Sequence, residues 1–353
     1  MNSVVIILLI ILCLILYKNY EKKTYSDNYS MIKRYLVNDS NLAKTSKPIM
    51  WIYIPSAPNG RNIKLFGDGH STNLNQEYLY LTMKSIIKNN DKDFTICIVD
   101  NYSFNKILPG WEYNLNDMAP PISCNLLNLA MAKLLYYYGG IIVPISFLCF
   151  KSLSGMYEYG TKEDKVFICE NINKSITCSS HEFTTDTTFM GCRKNNQKMF
   201  EYIQFSETII STDYTANSKF SGVYNEWFYE KKVSITVING KRIGTKTKHY
   251  KKITIEDLFS ETYIPLSKET YGVYIPSTEI IERSNYEWFS RLSKSEVLSG
   301  NTNIQKYILL TSADDPPIRK ENNWISFWKV PSGFGLYGFK PLGVGNTPNF
   351  QFD

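Results

Sequence analysis

The sequence predicts an α/β protein with a mixed-sheet core, an N-terminal membrane anchor helix and an α+β C-terminal extension. Three stretches carry that prediction. Val4–Tyr17 (VVIILLIILCLILY) contains no charge. Pro48–Pro55, Asn75–Asn89 and Phe94–Val99 read as strand, helix and strand, a right-handed βαβ unit with parallel pairing. Leu126, Leu127, Ala130, Leu134 and Leu135 lie about one helical turn apart, Gly139-Gly140 stops that helix, and Ile141–Phe150 follows as a β-branched and aromatic strand.

Taken in order, residues 1–23 form the anchor and 24–47 a polar tether. As a helix the first 17 residues span about 25 Å at ~1.5 Å per residue, a little short of a ~30 Å hydrocarbon layer. No Lys or Arg precedes the run and no small-x-small site follows it, which fits an anchor better than a cleaved signal peptide. Lys18, Lys22, Lys23, Lys33 and Arg34 all follow the span, so the positive-inside rule puts the body of a single-pass protein on the cytosolic side.

The net charge of +6 over 353 residues is mild. It speaks for ordinary solubility over a polyanion partner, and no aromatic pattern suggests a nucleic acid. Seven cysteines without CxxC spacing suit reduced thiols, and the scattered His70, His181 and His249 argue against zinc.

Residues 48–212 form the expected core domain. Asp100 ends the Phe94–Val99 strand, either where open α/β sheets place ligands or as an Asx turn over Tyr102-Ser103. Asp186, ahead of the apolar Phe189–Cys192, is a candidate catalytic acid, with a turn-capping role as the alternative.

The run from Leu134 to Leu153, together with Trp51, Asp100 and Phe189–Phe200 in that order, resembles GT-A sugar transferases of the capsular-polysaccharide and family 32 type. The resemblance covers less than half of the chain and implies a Rossmann-like GT-A core. In that family a helix ending in tyrosines and two glycines leads to a strand carrying Asp-x-Asp, which holds Mg²⁺ or Mn²⁺ and, through it, a nucleotide-sugar diphosphate. Here the triplet is Pro144-Ile145-Ser146, and the helix positions that carry Asp and Arg hold Asn128 and Met131. The resemblance therefore implies a degenerate nucleotide site at Asp100, Asn128, Met131, Gly139, Gly140, Pro144 and Ser146, with no metal expected. A working enzyme would need Lys133, Lys151 or Arg193 to replace the metal.

Residues 213–353 form the expected extension. Val233–Val237, Asn239-Gly240 and Lys241–Ile243 spell a basic β-hairpin with a type I′ turn. Beyond it, Trp324–Phe352 interleaves aromatic residues with glycine and proline, to cover the core or dock on a neighbour.

The expected function is that of a membrane-anchored, glycosyltransferase-like protein that has lost activity and serves as a structural or binding component with protein partners. The Lys, Asn, Ile and Tyr bias suits an AT-rich genome such as that of a low-GC microbe or a large DNA virus, and in the latter such a protein could link an internal membrane to a capsid shell. The alternative is an active transferase that binds its nucleotide sugar without the usual metal site.

Overall fold

A computed structural model describes residues 47–55, 76–108, 110–173, 181–212 and 220–312. The anchor, most of the tether, the Asn59–Asn62 loop and the aromatic tail lie outside the described residues. Among the described residues no helix is long and apolar enough to cross a membrane.

The chain folds as α/β/α layers. β1 (Ile49–Tyr53), α1 (Glu77–Asn90) and β2 (Thr95–Val99) form the expected unit, and β1 and β2 pair in parallel with Tyr53 opposite Val99. After α2 (Phe104–Ile107), α3 (Ile122–Tyr138) leads into β3 (Gly140–Ile142), parallel to β1, and then β4 (Phe147–Cys149). α4 (Ser154–Gly160), β5 (Phe167–Ile172), β6 (Phe183–Cys192), α5 (Gln197–Ser211), α6 (Phe220–Glu230) and β7 (Thr236–Ile238) complete the main sheet and its covering helices. The strand order is β2-β1-β3-β6-β5-β7, with β6 antiparallel to both neighbours.

Alternation along β1 builds the two inner layers. Ile49 and Trp51 join the cluster under α3 and α5, whereas Met50 and Ile52 join the one under α1. A third cluster packs the other side of α1 against β8 (Gly272–Tyr274) and four short helices: α7 (Ile255–Phe259), α8 (Ser277–Glu282), α9 (Lys294–Ser299) and α10 (Asn303–Ser312). Thr254 with Asp257, and Ser293 with Glu296, close capping boxes that let helices this short start.

The α3–β3 joint explains the double glycine. Gly139 (φ 72°) ends the helix and its carbonyl accepts a hydrogen bond from the buried Trp51 indole at 3.0 Å. Gly140 (φ 105°) lies so close to β1 that a Cβ there would stand 1.9 Å from the Ile49 carbonyl oxygen.

Three expectations change. Ile141–Phe150 is not one strand, because Pro144 offers no N–H to the ladder and the chain turns at Pro144–Phe147; β4 then pairs with β8 in a separate two-stranded sheet. The basic hairpin is absent. Thr236–Ile238 pairs in parallel with Phe167–Cys169, and Asn239 (φ −59°) accepts from Lys241 N to cap a 3₁₀ turn, so the Asn-Gly pair never adopts the positive φ of a type I′ turn. The boundary at 212/213 separates no independent extension, since β7 beyond it extends the main sheet and β8 holds β4.

Candidate functional site

β1, β2, β3, β5 and β7 share one direction, so their carboxyl ends meet along one edge, where open α/β sheets bind ligands. Tyr53–Ile54, Asp100–Asn101 and Val143–Ser146 leave the parallel half there. Glu170–Ile172 and the Asp186–Thr188 segment of β6 mark the other half.

At the β2 end the Asx turn forms. Asp100 Oδ1 accepts from Tyr102 N (3.1 Å), Ser103 N (2.9 Å) and Ser103 Oγ (2.6 Å). Its Oδ2 has no hydrogen-bond partner although the residue is only 5 % exposed. Tyr53 donates to Asn101 Oδ1 at 2.7 Å, and burial, then Asp100 and Cys124, push its phenol well above the usual range. Next to Cys124, Asn125 is buried with its Nδ2 unpartnered. An orphan acceptor and an orphan donor thus belong to neighbouring parts of this edge.

The other expected positions do not converge on it. Asn128 is half-buried on α3, but Met131 is a core residue of the cluster under α3 and α5. Gly139 and Gly140 lie at the amino end of β3, roughly 13 Å from Pro144 at ~3.3 Å per residue, and serve the strand joint.

The Pro144-Ile145-Ser146 segment is a closed turn. Phe147 N donates to Pro144 O at 2.9 Å, Thr82 Oγ1 of α1 to Ile145 O at 2.6 Å, and Ile275 N to Ser146 O at 3.3 Å. Ser146 is 3 % exposed. One buried hydroxyl and a proline do not fit a hard divalent cation, which needs several oxygen donors, and among the described residues no group of three or more His, Cys, Asp or Glu could hold a metal.

The cations that would have to replace it are dispersed. Lys133 Nζ pairs with Glu207 at 2.8 Å, Lys151 Nζ sits 4.6 Å from the centre of the Tyr271 ring, and Arg193 follows Cys192, which pairs with Gly140 at the opposite end of β3.

In the other half, Asp186 is fully engaged. Oδ1 accepts from Thr188 N (2.9 Å) and Thr188 Oγ1 (2.7 Å), and Oδ2 from Asn171 Nδ2 (2.7 Å). Burial and then Asp186 push the Tyr274 phenol well above its usual range, against a lowering influence of Asn171 and Thr188. Glu170 Oε2 accepts from Lys246 Nζ at 2.7 Å and Gly240 N at 3.0 Å, and Lys246 lies 3.8 Å from the centre of the Phe183 ring. Three other cations of the expected hairpin and the loop after it also have partners: Lys241 meets Tyr250, Arg242 meets Glu269 and Tyr159, and Lys252 pairs with Glu182. A cleft of about 400 Å³ beside this network is lined by Asn171, Lys252, Glu256, Tyr274, Glu279 and Glu282, among others. Its three carboxylates against one lysine disfavour a diphosphate.

Asn125, Asn171 and Tyr274 escaped the sequence reading. An amide in the apolar stretch Ile122–Met131, about one helical turn before Asn128, was a signal for Asn125; the other two become polar-site residues only through long-range pairing.

No family model and no curated protein matches the chain. Among solved structures, one named PaToxG Glycosyltransferase is similar at 14 % identity and a TM-score of 0.30, covering 59 % of this chain and 80 % of its own. A likeness this weak carries no functional weight.

Proposed function

We propose that this protein is a non-catalytic binding or structural component on a glycosyltransferase-like scaffold, tethered to a membrane through residues 4–17 with its body on the cytosolic side. The observation that carries the loss of transfer chemistry is the closed Pro144–Phe147 turn. Its carbonyls are tied to α1 and to the chain leaving β8, and the position that would present a metal-binding carboxylate holds the buried Ser146. Among the described residues, the cations are scattered and the cleft is acid-lined, which disfavours a departing diphosphate. The tether rests on the apolar Val4–Tyr17 run and its trailing lysines, and the residue bias suits an AT-rich genome such as that of a large DNA virus, in which this chain would link an internal membrane to a capsid shell.

The test is to incubate the full chain, purified in detergent, with UDP- and GDP-sugars with and without Mn²⁺, following nucleoside diphosphate release and thermal stability. No release and no Mn²⁺-dependent stabilisation is the expected result. Mn²⁺-dependent release that Ser146→Ala abolishes would restore the enzyme reading.

A further inference from the structure

The margin of the C-terminal cluster carries an aromatic face, in which Phe259 and Tyr286 are half-buried against the cluster and Trp288 is exposed. The Phe259 ring stacks on Tyr286 at 4.7 Å and meets Trp288 edge-on at 5.8 Å. Trp288 is 45 % exposed, and Tyr263, four residues beyond Phe259, is 78 % exposed. The Trp288 indole N–H is already bound to Asn285 O at 3.0 Å, so the face offers ring surface more than polar handles. Its arginines are paired, Arg283 with Glu256 and Glu279 and Arg291 with Glu287, so neither is left for an anionic partner. An aromatic face of this kind suits an aromatic occupant.

The chain supplies such a segment. α10 packs against this region, with Asn303 Nδ2 donating to Asp257 O and Thr262 O and the Tyr307 hydroxyl to Ile264 O. From its end at Ser312 a further 41 residues follow. They include Trp324, Phe327, Trp328, Phe334, Tyr337, Phe339, Phe350 and Phe352, and their charges balance, with Asp314, Asp315, Glu321 and Asp353 against Arg319, Lys320, Lys329 and Lys340. The segment leaves α10 beside Lys88 of α1, whose Nζ donates to Thr311 O at 3.4 Å, and 41 residues are ample to return to the face, where covalent attachment keeps them at high effective concentration. We propose that residues 313–353 of this chain dock on the Phe259–Tyr263–Tyr286–Trp288 face. This surface is independent of the sheet edge and of the sugar-transferase reading.

The test places a photo-crosslinking residue in the full chain, as Tyr263→p-benzoylphenylalanine. Irradiation is expected to give a cross-linked monomer whose peptides join position 263 to residues 313–353. Tyr263 is the most accessible position, but Trp288→p-benzoylphenylalanine serves equally if the first variant fails to fold. Cross-links between two chains, cross-links only to other parts of the same chain, or no cross-link from either folded variant would overturn the proposal.

Discussion

The two halves of the sheet treat buried polar groups in opposite ways. In the half made of β6, β5 and β7, Asp186, Asn171 and Thr188 satisfy one another and Glu170 holds Lys246. In the half made of β2, β1 and β3, with the helices α1 and α3 that lead into β2 and β3, Asp100 Oδ2, Asn125 Nδ2, Gln76 Oε1 and Glu77 Oε2 are buried without partners. Among the described residues, every buried carboxylate or amide atom left unpaired belongs to that second half. Unmet hydrogen-bonding capacity is costly. For carboxylates and amides, though not for the Tyr202 hydroxyl on α5, its confinement to one half marks the parallel strands as the part that departs from pure packing logic, whereas the polar cluster around Asp186 is satisfied within itself.

The comparison breaks most violently at its seam. Gly140→Ala forces a Cβ into the Ile49 carbonyl at a backbone angle that alanine resists. It should destabilise the fold by about 4 kcal/mol or more. Chemical denaturation of the variant would measure this, and a loss as small as that of an ordinary surface change would mean that β1 and β3 are not joined as described. Glu77 gives the next effect. Burial raises its pKa from 4.5 to about 7, partly offset by Lys294. A carboxyl whose folded-state pKa is raised contributes stability that is whole below its unfolded value and is lost as pH rises through about 7. Glu77→Gln should therefore matter little near pH 4.5 and raise stability by up to about 3 kcal/mol at about pH 8. Melting temperatures across that window check it, and a pH-independent difference would show that Glu77 keeps a charge partner.

How much of this was legible follows from the range of the forces involved. The βαβ start, the α3–Gly-Gly–β3 joint and the Asx turn at Asp100 are local patterns, readable from spacing and turn chemistry. The Asn239-Gly240 hairpin is local too, and it lost to a distant partner: Phe167–Cys169 pairs with Thr236–Ile238 and satisfies more backbone than a short hairpin could. The strand break after Ile142 was half visible in Pro144, but the capture of its turn by Thr82 and Ile275 is tertiary. At Asp186 the capping bond from Thr188 N forms, and two further donors, Thr188 Oγ1 and the distant Asn171 Nδ2, occupy its oxygens.

Two further substitutions set the halves against each other with the same chemical change. Asp186→Asn turns one acceptor into a donor where Asn171 Nδ2, Thr188 N and Thr188 Oγ1 all now find oxygen, so at least one buried donor is stranded. The loss should be about 2 kcal/mol. In Asp100→Asn the amide oxygen can keep the Tyr102 and Ser103 bonds made by Oδ1, while the new NH₂ replaces an oxygen that had no partner and the buried charge disappears. The stability change should stay within about 0.5 kcal/mol of zero. Urea midpoints for the pair decide between the accounts: equal losses would mean that Asp100 Oδ2 has a partner in solution, and the parallel half would then be as fully satisfied as its neighbour.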